Sequence, residues 1–221
     1  MKLHGTTLGF CLLALAMVFA AASNLARAEE AGGGVAPKVL IDFGSPEAGK
    51  QVTPTKGLPE HSTVTVDQAG IALSFEPQKP TDGPHPGIHV TPATGKSWDL
   101  SAYGHVEAKI TNTSTQRFDI VMHVVDEGDN FWTEKKFEFA GFKPGETKVL
   151  KVIFGYQKGF KPGPEVKTAS IKEIYIFVWD KAQARAFRIE ELKAAGMPGE
   201  KPEVEPASTA SQPATAPSTK P

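Results

Sequence analysis

The sequence predicts an all-β fold, an antiparallel β-sandwich, on three observations. Apolar and polar residues alternate with period two through much of segment 38–196. Gly and Pro interrupt these runs every few residues, and no window has the spacing of a convincing amphipathic helix. Ten or so short strands of this kind pack as two facing antiparallel sheets.

The sandwich is flanked by segments of different character. Lys2 and His4 precede an apolar run over 8–22, and Ala26-Arg27-Ala28 supplies small residues for a cut after Ala28. This is the pattern of a cleaved signal peptide, which points to a secreted protein, periplasmic or extracellular. The run is shorter than the ~20 residues that cross a bilayer, and no later run approaches that length, so no membrane span is expected. Cys11, the one cysteine, leaves with the signal, so the mature chain depends on an apolar core without disulfides.

Lys2 and Arg27 leave with it too, and no acid does, so the net charge moves from −1 to −3. So mild a balance carries no basic footprint for nucleic acid or an anionic membrane. Segment 29–37 reads as a flexible leader and 38–196 as one domain. Segment 197–221 is almost all Pro, Ala, Ser, Thr, Glu and Lys, with no aromatic residue, the composition of a disordered tail.

Strands are predicted over 39–43, 63–66, 71–75, 88–90, 106–111, 118–125, 134–139, 147–154, 171–179 and 186–189, with one helical turn within 189–195. Lys143-Pro144-Gly145-Glu146 is a turn. Two strands can be phased. Val106, Ala108 and Ile110 share one face, as do Phe118, Ile120, Met122 and Val124, and both sets point inward. The opposite faces carry His105, Glu107 and Lys109, and Arg117, Asp119, Val121 and His123. If 112–116 closes a simple hairpin, Lys109 lies opposite Asp119 and His105 opposite His123. Asn112-Thr113-Ser114 at that tip matches an N-glycosylation sequon.

Several short motifs then occur in order. They are Pro86-Gly87-Ile88-His89-Val90, Trp98-Asp99-Leu100-Ser101-Ala102-Tyr103-Gly104, a strand ending Val124-Val125-Asp126, Phe142-Lys143-Pro144-Gly145-Glu146, and Phe187-Arg188-Ile189-Glu190. Together they resemble the jelly-roll carbohydrate-binding domain attached to agarases and, more loosely, the wider galactose-binding-like family. The resemblance covers most of 38–195 and implies a jelly-roll topology, a polysaccharide or glycan partner, and an accessory role without chemistry. It also implies a structural calcium ion between the first and last strands, for which Asp42 and Glu190 are the candidate ligands, although the family more often has Asp at the second position.

Catalytic signatures are missing from the sequence. It contains no Gly-x-Ser-x-Gly elbow, His-Glu-x-x-His helix, phosphate loop or Glu-x-Asp-x-x-Glu strand. His85 and His89 cannot easily share a metal, because Pro86 and Gly87 oppose a helix and four strand residues span about 13 Å. Aromatic side chains carry the sugar hypothesis, since a pyranose offers an apolar C–H face to a ring. Tyr175, Phe177 and Trp179 share one strand face; Phe177 reads as core, whereas Tyr175 and Trp179 read equally well as core or platform. Trp132 is the expected exposed tryptophan, and Trp98 the packed one.

The candidate ligand-binding residues are therefore Trp132, Trp179, Tyr175, His123, Arg117 and His105. The competing reading is a structural or assembly domain that meets a protein partner through the same sheet face or the tail. A third is a hydrolase or lyase without a recognisable motif.

Overall fold

The computed structural model describes residues 35–58, 62–79, 83–128, 136–156, 163 and 165–202. The expected signal peptide, most of the leader, Trp132 and the tail beyond Pro202 lie outside the described residues. Strands β1 to β11 are Lys38–Val39, Val52–Pro54, Thr63–Asp67, Gly70–Phe75, Gly87–Val90, His105–Asn112, Phe118–Asp126, Phe137–Phe142, Thr147–Ile153, Ile171–Val178 and Arg185–Ala195. One sheet has the order β3-β4-β11-β6-β9, with β1 also paired to β11; the other has the order β2-β5-β10-β7-β8. Every pairing is antiparallel. Among the described residues no helix is long and apolar enough to cross a membrane.

The core lies between the sheets and follows the alternation. Val106, Ala108 and Ile110 face Phe118, Ile120, Met122 and Val124 across it, joined by Ile174, Ile176 and Val178 of β10 and by Phe187 and Ile189 of β11. Each fully buried side chain of this size contributes about 1.5–3 kcal/mol over an exposed one. Trp98 packs against this core, and its backbone bridges to Ile171. Asp99 Oδ1 accepts the Ser101 N–H at 3.0 Å and so turns the chain beside it.

The simple hairpin between β6 and β7 does not form. These strands belong to different sheets: β6 pairs with β11 and β9, and β7 with β10 and β8. Link 113–117 can reach roughly 16 Å when extended, enough to cross the roughly 10 Å between facing sheets. His105 therefore sits beside Ile153 and Ala195, not His123, and Lys109 sits beside Val149 and Glu191, not Asp119.

Asn112 holds this crossing. Its Nδ2 donates to Gln116 O at 2.8 Å and Phe142 O at 3.0 Å, while Oδ1 accepts the Ser114 N–H at 2.8 Å. The second crossing, from β8 to β9 through turn 143–146, lies against it, with Gly145 N–H donating to Asn112 O at 2.9 Å. The sequon asparagine is thus 0% exposed, with its amide nitrogen committed to two carbonyls, and cannot carry a glycan in the folded protein.

Several elements differ from expectation, among them β8, which continues to Phe142 where an end at 139 was expected. β11 continues to Ala195 where a helical turn was expected, because a bulge between Ile189 and Glu191 inserts one residue and shifts the inward positions from 187 and 189 to 192 and 194. In the sequence alone, that shift imitates helical spacing. β1 stops at Val39, although Leu40 N–H still donates to Leu192 O at 3.0 Å. β2, ending in Pro54, was not anticipated; it is a short edge strand, where proline's missing donor is tolerated.

Replacing Asn112 by Ala leaves two carbonyls and one N–H of the paired crossings without side-chain partners. We expect a loss of about 2–4 kcal/mol in unfolding free energy by urea titration, with an unchanged denaturant slope. An unshifted midpoint would show that the crossings do not depend on this amide.

Candidate functional site

The outer face of the five-stranded sheet collects the side chains that the core does not use. In one cross-strand row, Thr53, His89, Tyr175, His123 and Phe137 lie side by side on β2, β5, β10, β7 and β8. The next row is Gly87, Phe177, Val121 and Phe139, and beyond it Asp119 pairs with Gly141. Val121, Tyr175 and Phe177 form a small apolar cluster of their own, with Phe137 packed against it.

Two imidazoles cover this cluster. His89 lies flat on Tyr175, with ring centres 4.3 Å apart and planes 4° apart. His85 stacks over Phe177 at 5.4 Å and Trp179 at 5.0 Å. Gly87 makes this cover possible, because a Cβ there would lie 2.3 Å from Ile176 O. The Tyr175 hydroxyl donates to His85 O at 2.8 Å, and His89 Nδ1 pairs with Glu173 Oε1 at 2.6 Å. Burial, with Lys181 nearby, holds the His85 pKa below its ordinary value, which favours the neutral ring.

The cover ends at Trp179. Its side chain is 58% exposed, and Phe139, two strands away, is 45% exposed. They flank a cleft of about 320 Å³ floored by Val121 and Phe137, with Asp119 also in its wall. Arg117 and Asp119 lean over Gly141, where a Cβ would lie 2.7 Å from Arg117 Nη2 and 3.0 Å from Asp119 Oδ1. A glycine at 141 therefore gives the guanidinium its seat. The cleft combines two exposed rings and one acidic acceptor, and Arg117 lines an adjoining depression that shares Asp119 and Trp179. Among the described residues, Asp119 is the one carboxylate in its wall.

The residues singled out from sequence are distributed as follows. Trp179, Tyr175, His123 and Arg117 share this sheet face, but Tyr175 and His123 are buried beneath it rather than displayed. His105 is on the other sheet, bonded to Glu200 and, at 3.2 Å, to Glu107. Glu200 belongs to segment 197–221, whose described part, through Pro202, turns back onto the domain. Trp132 lies outside the described residues.

Asp42 Oδ1 accepts the Gly44 N–H at 3.0 Å, and Glu190 is held by Lys109 at 2.7 Å and Thr111 at 2.6 Å. A lysine ammonium already serves Glu190, and among the described residues no three His, Cys, Asp or Glu side chains gather as a metal site. Phe139, His85 and His89 were missed as site residues. The alternation of β8, continued across the β7–β8 pair, would have placed Phe139 beside Val121.

No protein-family model matches the chain, and no curated protein matches it. Solved structures do. The agarase AgWH50C superposes with a TM-score of 0.55 at 10% identity, and an exo-beta-agarase with 0.53 at 11%, over 74% and 73% of this chain. The chain spans only 25% of each agarase. The family 11 carbohydrate-binding module of Clostridium thermocellum, in complex with a β-1,3-1,4-mixed-linked tetrasaccharide, superposes with a TM-score of 0.50 at 14% identity over 74% of this chain and 98% of its own. The fold is therefore the jelly-roll β-sandwich that the sequence motifs implied, shared with domains of agarases and with this carbohydrate-binding module.

Burial pushes the Tyr175 pKa up to about 12. Since the folded value exceeds the ordinary value near 10, the contribution of this group to stability is complete below about pH 10 and is lost as pH rises toward 12. Tyr175 should therefore give a late step in an absorbance titration at 295 nm, and Tyr175→Phe should abolish that step. A late step that survives the substitution would assign it elsewhere.

Proposed function

We propose that this chain is an exported, non-catalytic carbohydrate-binding domain that holds a polysaccharide or glycan on the outer face of its five-stranded sheet. The observation that carries the reading is the pair of exposed rings, Trp179 and Phe139, flanking one cleft beside Asp119. Two strand spacings separate them, roughly 10 Å, a gap that admits a sugar ring. The rings offer apolar surface to its C–H faces, while Asp119 accepts from its hydroxyls and Arg117 donates to them.

The fold likeness to a carbohydrate-binding module over nearly its whole length, and to domains within agarases, supports the same reading. Export is supported by the signal-like segment 1–28. An assembly face would need a broad apolar patch. The large exposed apolar residues among those described are instead scattered: Val39 and Val149 belong to the other sheet, and Val35 and Met197 to neither.

Affinity electrophoresis of the full chain through gels containing agarose or mixed-linkage β-glucan tests this. We expect retardation by at least one polymer, weakened about tenfold in Kd by Trp179→Ala and further by the double change with Phe139→Ala, with unaltered thermal unfolding. The sugar reading fails if neither polymer retards the protein, or if the double variant is retarded like the parent.

A further inference from the structure

The same sheet face carries a second concavity that the Trp179 cleft does not use. It measures about 490 Å³ and is bounded by Thr53, Thr55, Pro84, His89, Glu173 and Tyr175. His89 is fixed on two sides: one ring face lies against Tyr175, and Nδ1 is held by Glu173. The ring is nonetheless 30% exposed and lines the concavity, so its remaining face is turned toward the opening. Glu173 is similarly half-exposed at 29%, and Thr53, opposite His89 on edge strand β2, is exposed. A flat preoriented ring, a carboxylate and a hydroxyl around one opening repeat the chemistry of the first cleft with different residues.

We propose that this concavity is a second sugar subsite, in which a pyranose stacks on the outward face of His89 while Glu173 and Thr53 bond its hydroxyls. The proposal rests on the sugar-binding reading above and deepens it by specifying the ligand. Tyr175 and Trp179 are four residues apart on one run of chain, about 13 Å, more than a single ring spans. The His85–Phe177 stack lies between the two sites. One ligand occupying both sites must be an internal stretch of a polysaccharide, about four or more linked sugars, and not a monosaccharide or a chain end.

Isothermal titration of the full chain with agaro-oligosaccharides and mixed-linkage β-glucan oligosaccharides of two to six units separates the possibilities. We expect affinity to climb with length up to at least four units. His89→Ala should weaken six-unit binding about tenfold and two-unit binding less than twofold, whereas Trp179→Ala weakens both. Glu173→Gln, which keeps the shape of the side chain, should act like His89→Ala but more mildly, so that a folding defect in one variant does not decide the result. Length-independent affinity, or six-unit binding untouched by His89→Ala and Glu173→Gln, overturns the second subsite and leaves the first standing. Binding of neither series at any length overturns both.

Discussion

Strand β10 is apolar on both sides, and neither side can be left in water. Its inward residues Ile174, Ile176 and Val178 are covered by the opposing sheet, as in any sandwich. Its outward residues Tyr175 and Phe177 require a cover of their own, since each such ring buries roughly 150–250 Å², worth on the order of 4 kcal/mol. His85 and His89 provide it from neighbouring β5 and the residues before it, and Gly87 allows the close approach. The arrangement of that face follows from this requirement.

The cover reaches one face of Trp179, just past the end of the strand, and stops there. Where it ends, Trp179 is left exposed, and the β7–β8 pair supplies Phe139 across the gap with Val121 between them. The outer face of the other sheet has a different character. It pairs Lys109 with Glu190, Arg188 with Asp67, and Glu107 with Lys193, a set of solvated charges of modest energetic weight. One outer face is a wet electrostatic ladder and the other an aromatic surface with concavities. The proposed binding function falls on the second of these, because sugar rings are held by stacking combined with a few directed polar groups.

Much of this was legible in the alternation. The inward sets of β6 and β7, the packed Trp98, the buried Phe177 and the turn at 143–146 follow from period-two patterning and turn chemistry, which act locally. What was misread required knowledge of partners. The alternation of β6 and β7 is the same whether they pair with each other or face each other across the core, so a hairpin and a sheet crossing look alike until the bonds of Asn112 are seen. His105 was grouped with His123 for that reason alone. The bulge after Ile189 is invisible for a similar reason, because one inserted residue turns a strand's spacing into an apparent helical one.

By itself, the sequence determined the fold class, the inward faces of individual strands and the apolar character of both sides of β10, because these depend on side-chain period and hydrophobicity within a single segment. Only the tertiary structure decided which strands are neighbours, that Tyr175 and His123 are covered while Trp179 and Phe139 are not, and that two concavities share one face. Those outcomes depend on register and on loops that fold over the sheet. They arise from contacts between residues far apart in the chain, whose geometry no local pattern records.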